Sequence, residues 1–365
     1  MSATDPSRPS RREFLGLAVA AAAATVARPA YARLPVASAD IRRLTSPGFL
    51  DLQVNGFAGV DFNDPATTTD QVHRALAALR AHGVTSFLPT IISSATDRFE
   101  LCARMLLHVN AKAILGIHME GPYISPDDGP RGAHRREDIC AASIDDFRRR
   151  QDAAGGRIRL VTLAPEVPGA LPLIEYLRAN GIRAALGHTA AEPQQVRDAV
   201  RAGATLSTHL GNGCAQTIPR HPNFLWEQLA ADELMASLIV DGHHLPPATV
   251  KTMIRAKTAG RVVLVTDAIA AAGQPPGEYQ LGSVKVRLDE SGRVAIPGAP
   301  NLAGSALAMD RAVANTVHFA GVSIEEALAM ASTQPARYLG VKPSGSIDLE
   351  WNPDAFALRV VGVKD

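Results

Sequence analysis

The chain has 365 residues, nearly half of them apolar and a fifth charged, with 37 basic against 36 acidic side chains and a formal charge of +1. That length allows two average domains, or one large α/β barrel with an appendage. The even charge balance offers no field for holding nucleic acid or an anionic membrane, and the composition is that of an ordinary globular protein.

The N-terminus reads differently from the rest. "SRREFLGLAVAAAAATVARPAYA" pairs Arg11 with Arg12, continues through Phe14-Leu15 into an uncharged segment from Leu17 to Val26, and ends on Ala30-Tyr31-Ala32, a small-x-small cleavage pattern. Its apolar core is too short to span a bilayer, so residues 1–32 are expected to be a signal peptide, and the twin arginine marks it as Tat-type. Export to the periplasm follows, with a cytoplasmic protein as the alternative. Cys102, Cys140 and Cys214 are widely spaced and odd in number, which is no disulfide framework; they are expected to be buried thiols.

Eight short apolar runs follow, alternating with amphipathic stretches: "GFLDLQVN", "GVTSFLPTI", "KAILGIHME", "RIRLVTLAPE", "IRAALGHT", "ATLSTHL", "MASLIVDG" and "RVVLVTDA". "TTTDQVHRALAALRAHG" places Val72, Leu76 and Leu79 on one helical face, and it ends on glycine, as do "PLIEYLRANG" and "PQQVRDAVRAG". Strand, helix, glycine, strand, repeated eight times, predicts a (β/α)8 TIM barrel over residues 48–345. Near the end, "GEYQLGSVKVRLDESGRVAIPG" reads as two alternating runs joined by "DESG" into a hairpin, and "AFALRVVG" as a strand. Residues 33–47 and 346–365 are expected to form a small β appendage.

Polar residues gather at the C-terminal ends of the runs: Gln53 and Asn55, Thr90, His118 and Glu120, Glu166, His188, His209, Asp241 with His244, and Asp267. In a parallel barrel those ends meet at one mouth. A carboxylate and two imidazoles, Glu120, His188 and His209, suit a divalent cation, and Asp267 is then placed to handle the proton of a water. Each has a plainer reading taken alone: a hydrogen-bonded rim histidine, or for Asp267 an N-cap of a following helix. His118 points the same way as Glu120 and is expected outside the ligand set.

"PGFLDLQVNGFAGVDF", "GIHMEGPYISP", "GAHR", "LGHTAA", "THLGN", "IVDGHHL" and "LVTDAIAAAG", in this order, resemble the amidohydrolase superfamily, and within it most closely the N-acetylglucosamine-6-phosphate deacetylase family, over roughly residues 46–350. The resemblance implies a metal-dependent amide hydrolase acting on an N-acetyl amino sugar, with the metal on Glu120, His188 and His209 and with Asp267 as the catalytic acid–base. It implies that His244 polarises the carbonyl, with His243 beside it. Substrate contacts fall to His134, Asn212, Gly213 and Arg220, and Arg220 reaches into the partner's site of a homodimer. Where superfamily members with two metals carry His-x-His, this chain has Gln53 and Asn55, so one divalent ion is expected, zinc by default with iron or another ion open. The loop from Asn212-Gly213-Cys214 through Arg220 and His221 departs from the family's phosphate-binding pattern. Together with the leader, that departure admits an exported amidohydrolase for an unphosphorylated N-acyl sugar or another N-acyl or cyclic amide. An inactive periplasmic sugar-binding protein is the reading from a different class.

Overall fold

The run from Val84 to Ile91 is β-rich and buried at every position, as a strand covered on both faces must be. It is one of eight parallel strands in a computed structural model that describes residues 41–299 and 301–365. The eight are Phe49–Val54, Val84–Ile91, Ile117–Glu120, Ile158–Leu163, Arg183–Leu186, Ala204–Ser207, Met235–Leu238 and Val262–Leu264, each hydrogen-bonded to its successor in the chain. No ladder joins the last to the first. The seam is closed by the Asp267 amide donating to the Gln53 carbonyl at 2.9 Å and the Asn55 amide to the Ala268 carbonyl at 2.7 Å. The expected (β/α)8 barrel is the observed one.

Helices clothe the barrel for local reasons. Thr69–Ala81 starts in a capping box, with the Thr68 side chain taking the Gln71 amide while the Gln71 side chain takes the Thr68 amide, a device worth about 1 kcal/mol. It buries Val72, Ala75 and Leu79; Leu76, expected on that face, is half-buried because the helix sits rotated toward Ala75. The helix Pro193–Ala202 likewise opens in a capping box with proline in its first turn.

The eighth unit is interrupted. Between Val262–Leu264 and its helix Met309–Ala320, the chain makes a three-stranded antiparallel sheet of Gly277–Leu281, Val284–Leu288 and Val294–Ala295. The expected hairpin joined by "DESG" is therefore one strand short. A tight turn at Gly282-Ser283, with Gly282 at φ +58, splits the first run. The sheet packs Leu281, Val286, Leu288 and Val294 with Ile92 and Ile269 into a second apolar cluster. Strands Arg42–Pro47, Ser346–Asn352 and Ala357–Lys364 make a separate antiparallel sheet, and the middle strand buries Ile347, Leu349 and Trp351 at alternate positions.

All three cysteines are free; Cys102 is buried and Cys214 half-buried, but Cys140 is exposed, so the expectation of buried thiols fails there. Cys140 follows a single 3-10 turn, Arg136–Asp138, in the loop that leads to the helix Ile144–Ala153. Among the described residues no helix is long and apolar enough to cross a membrane. The leader lies outside the described residues.

Candidate active site

Alternation along the first barrel strand puts Asp51, Gln53 and Asn55 on one face, and Glu120 ends the third strand on the same interior. His188, His209 and Asp267 each stand two or three residues past a strand, where the backbone turns sharply. Their φ values are +52, +31 and +51, in a region that costs a β-carbon about 1–2 kcal/mol. Such strain persists only where surrounding contacts impose it, and it gathers at functional positions.

Those turns bring three side chains together. The Glu120 Oε1 lies 3.2 Å from His188 Nε2 and 3.0 Å from His209 Nε2, and the two imidazole nitrogens are 3.1 Å apart. Donors around a cation at about 2.1 Å stand about 3.4 Å apart when tetrahedral, so this triangle has nearly the edges a zinc-type ion requires. The donor chemistry fits as well. His188 Nδ1 sits 2.8 Å from the Pro130 carbonyl, which only accepts, so that nitrogen holds the ring's proton and Nε2 keeps its lone pair. Burial opposes charge on Glu120, but the adjoining imidazoles of His188 and His209 hold its carboxyl well below the ordinary value.

A third histidine, His134, also brings a donor atom within 4.8 Å of Glu120 and His188. Its proton decides against ligation. The Ser93 amide donates to His134 Nδ1 at 3.3 Å, and the Ser93 hydroxyl lies 2.8 Å from the same atom. A backbone amide cannot accept, so Nδ1 is the lone-pair nitrogen and the neutral ring carries its hydrogen on Nε2. Burial, then the neighbouring His188, pushes the ring down to about 3, which keeps it neutral. His134 is thus built to donate. His118 lies deeper, with Nδ1 3.1 Å from the Leu52 carbonyl and Nε2 2.8 Å from Thr162 Oγ1, and both its nitrogens are spoken for within the barrel.

Asp267 caps no helix, since the next one, Met309–Ala320, starts only after the three-stranded sheet. Its Oδ1 takes Asn55 Nδ2 at 2.6 Å and Gln53 Nε2 at 3.1 Å, and that same Gln53 nitrogen lies 2.8 Å from Glu120 Oε1. Two amides therefore anchor one oxygen of the aspartate, while Oδ2 takes no hydrogen bond among the described residues. They also present N–H donors where a second cation would need lone pairs. Burial, then the Glu120 charge, pushes Asp267 up to about 8. Below it Asp51 accepts from the Thr266 hydroxyl at 2.5 Å and the Gln53 amide at 3.1 Å, bracing the residue before Asp267.

These groups line a cavity of about 410 Å³, within the usual range for a small-molecule site. Asn212, Gly213, His134 and His244 share its wall. A β-carbon on Gly213, at φ +55, would stand 2.8 Å from His188 Nδ1, so only glycine lets the loop pass that ring. Arg220 is not brought to the cavity; it is exposed in the loop before the helix Phe224–Ala230. Sequence reasoning missed the anchoring by Gln53, Asn55 and Asp51, for which the alternating "DLQVN" was a signal. It also missed Ser93, which carries none.

A model of the amidohydrolase family matches residues 44–365. The chain is 37% identical over 335 residues to the human N-acetylglucosamine-6-phosphate deacetylase, covering 87% of this chain and 80% of that one. It is 35% identical over 303 residues to the N-acetylgalactosamine-6-phosphate deacetylase of Escherichia coli O157:H7, covering 82% and 78%. Among solved structures, a mutant N-acetyl-D-glucosamine-6-phosphate deacetylase from Mycobacterium smegmatis, in complex with N-acetyl-D-glucosamine-6-phosphate, superposes with a TM-score of 0.81 at 31% identity, over 88% of this chain and 85% of that one.

Proposed function

The chain belongs to the amidohydrolase family, and on that premise we propose that it is a deacetylase of amino-sugar metabolism, hydrolysing N-acetylglucosamine-6-phosphate to glucosamine-6-phosphate and acetate. The observation that carries the reading is the convergence of Glu120, His188 and His209 beside Asp267 at one wall of the cavity. Those three residues would hold a divalent ion, with zinc the default and iron open. When bound, such an ion polarises the acyl carbonyl and brings the pKa of water toward neutrality.

The remaining steps belong to side chains. Asp267, anchored through Oδ1, takes the proton of the attacking water on Oδ2 and passes it to the amine nitrogen as the C–N bond breaks. His244 donates to the carbonyl oxygen as charge develops there. His134 donates its Nε2 hydrogen to the sugar, and Asn212 and Gly213 shape the cavity wall, Gly213 beside the His188 ring. Because Gln53 and Asn55 turn N–H groups on Asp267, we read the site as holding one ion.

Among the described residues no lysine or arginine lines the cavity. A phosphate dianion bound there needs a cation from outside the single chain. Exposed Arg220 supplies one if a second subunit offers it, which is the support for a homodimer. Acetate release is the test, measured on N-acetylglucosamine-6-phosphate, its galacto epimer and unphosphorylated N-acetylglucosamine. Preference for a phosphorylated sugar, with KM raised tenfold or more in Arg220→Ala on that substrate alone, is the expected result. Equal turnover of the unphosphorylated sugar would favour the N-acyl sugar alternative. Export through residues 1–32 is a separate reading, tested by cell fractionation of the tagged chain.

A further inference from the structure

Deeper in the barrel than Glu120, a row of polar side chains crosses the interior without lining the cavity. His118 stands two residues before Glu120 on the third strand and so points to the same interior. Its Nδ1 lies 3.1 Å from the Leu52 carbonyl on the first strand, with Thr90 Oγ1 at 3.4 Å from the same nitrogen. Its Nε2 lies 2.8 Å from Thr162 Oγ1 on the fourth strand, and Thr162 Oγ1 is in turn 2.7 Å from Thr208 Oγ1, just past the sixth. All of these side chains are buried. A carbonyl only accepts, so Nδ1 carries a hydrogen and the ring bridges the first strand to the fourth.

Every ligand of the proposed ion has a neighbour in this row. Thr162 pairs with Glu120 across the ladder, and its carbonyl takes the Gly121 amide at 2.9 Å. Gly187, the residue before His188, passes close over both threonines: a β-carbon there would stand 2.8 Å from Thr162 Cγ2 and 2.9 Å from Thr208 Cβ. Thr208 immediately precedes His209. That last link matters most, because the two histidines are held differently. The Pro130 carbonyl orients the His188 ring directly, whereas His209 Nδ1 is buried with no hydrogen-bond partner among the described residues. Metal-binding histidines are ordinarily fixed through their second nitrogen. His209 is held through its backbone instead. Its amide donates to Ser237 Oγ at 2.7 Å, and the residue before it is tied through Thr162 to His118.

We propose that His118 is a positioning residue whose ring anchors the Thr162–Thr208 pair and so keeps Glu120, His188 and His209 at the spacing a divalent ion needs. The inference rests on the reading of those three as the ligand set, and adds to it a residue that meets neither ion nor substrate. A histidine that merely filled the barrel could be exchanged for another ring without disturbing the ligands. One that anchors them cannot.

The test is Zn2+ affinity by isothermal titration of the metal-stripped protein, beside the visible spectrum of the Co2+ form, which reports ligand geometry. His118→Phe keeps a ring in place and removes both hydrogen bonds; Thr162→Val leaves the ring alone and cuts the row at its centre. Each should bind Zn2+ about 10- to 100-fold more weakly, the usual cost of losing a group that orients a ligand, and show an altered Co2+ spectrum. His118→Gln can still donate to the Leu52 carbonyl and accept from the Thr162 hydroxyl, and it should recover most of the loss. Wild-type affinity and spectrum in either His118→Phe or Thr162→Val would overturn the proposal, whatever the melting temperature does. So would a His118→Gln no better than His118→Phe. Should His118→Phe not fold, Thr162→Val, which deletes a single hydroxyl, decides alone. A wild type that binds neither ion removes the ligand reading itself, whereas tight binding there with unchanged variants removes only the role of His118.

Discussion

Asp267→Asn should move activity and stability in opposite directions. The Asn oxygen takes the two bonds now made by Oδ1 to Asn55 and Gln53, so the side chain keeps its place and turns an NH2 group to where Oδ2 stood. General acid–base catalysis at one group is worth about 10²–10⁴-fold, and turnover should fall by that much with metal content unchanged. Stability follows from linkage in the metal-stripped protein. Burial and Glu120 raise Asp267 from 3.8 to about 8, so its charged form costs stability that grows as pH rises through that window. Between pH 4 and 7 the cost is on the order of 4 kcal/mol as an upper bound, at about 1.4 kcal/mol per unit. The variant removes the charge, so its melting temperature should exceed that of wild type by several degrees near pH 8 and match it near pH 4. Acetate release and pH-dependent melting in chelator check the two halves. Turnover within tenfold of wild type, or a metal-free variant less stable than wild type at pH 8, would refute the reasoning.

Three more tests address the surrounding residues. His188→Ala or His209→Ala should leave purified protein with little bound metal by elemental analysis, because each removes one corner of the triangle with Glu120. Gly213→Val should weaken metal affinity by about 10- to 100-fold without touching a ligand, since its β-carbon would press on the His188 ring; isothermal titration of the stripped protein measures it. Asp51 is raised to about 7 mainly by burial, so its ionisation also costs stability as pH climbs from 4 to 7, and Asp51→Asn should melt higher at neutral pH but no higher at pH 4.

The barrel was legible in the sequence because a strand buried on both faces must be apolar throughout, and a helix between strands must end in a turn that glycine favours. Glu120, His188, His209 and Asp267 were legible for a related reason: polar residues closing apolar runs have only the mouth to occupy. What the sequence hid was the state of each group. Whether His134 donates or ligates depends on the Ser93 amide, a backbone atom with no sequence signature. The turn at Gly282-Ser283 was lost because alternation runs through it unbroken in one dimension. Arg220 stands apart from the cavity of its own chain, exposed before the helix Phe224–Ala230, because the loop after His209 carries it outward.

The most direct measurement titrates metal-stripped protein with a divalent ion while following acetate released from N-acetylglucosamine-6-phosphate. Activity should climb linearly from near zero and level off sharply at one ion per chain. Undiminished turnover in chelator, a break at two ions, or metal binding with no acetate would contradict a single-ion deacetylase built on Glu120, His188 and His209.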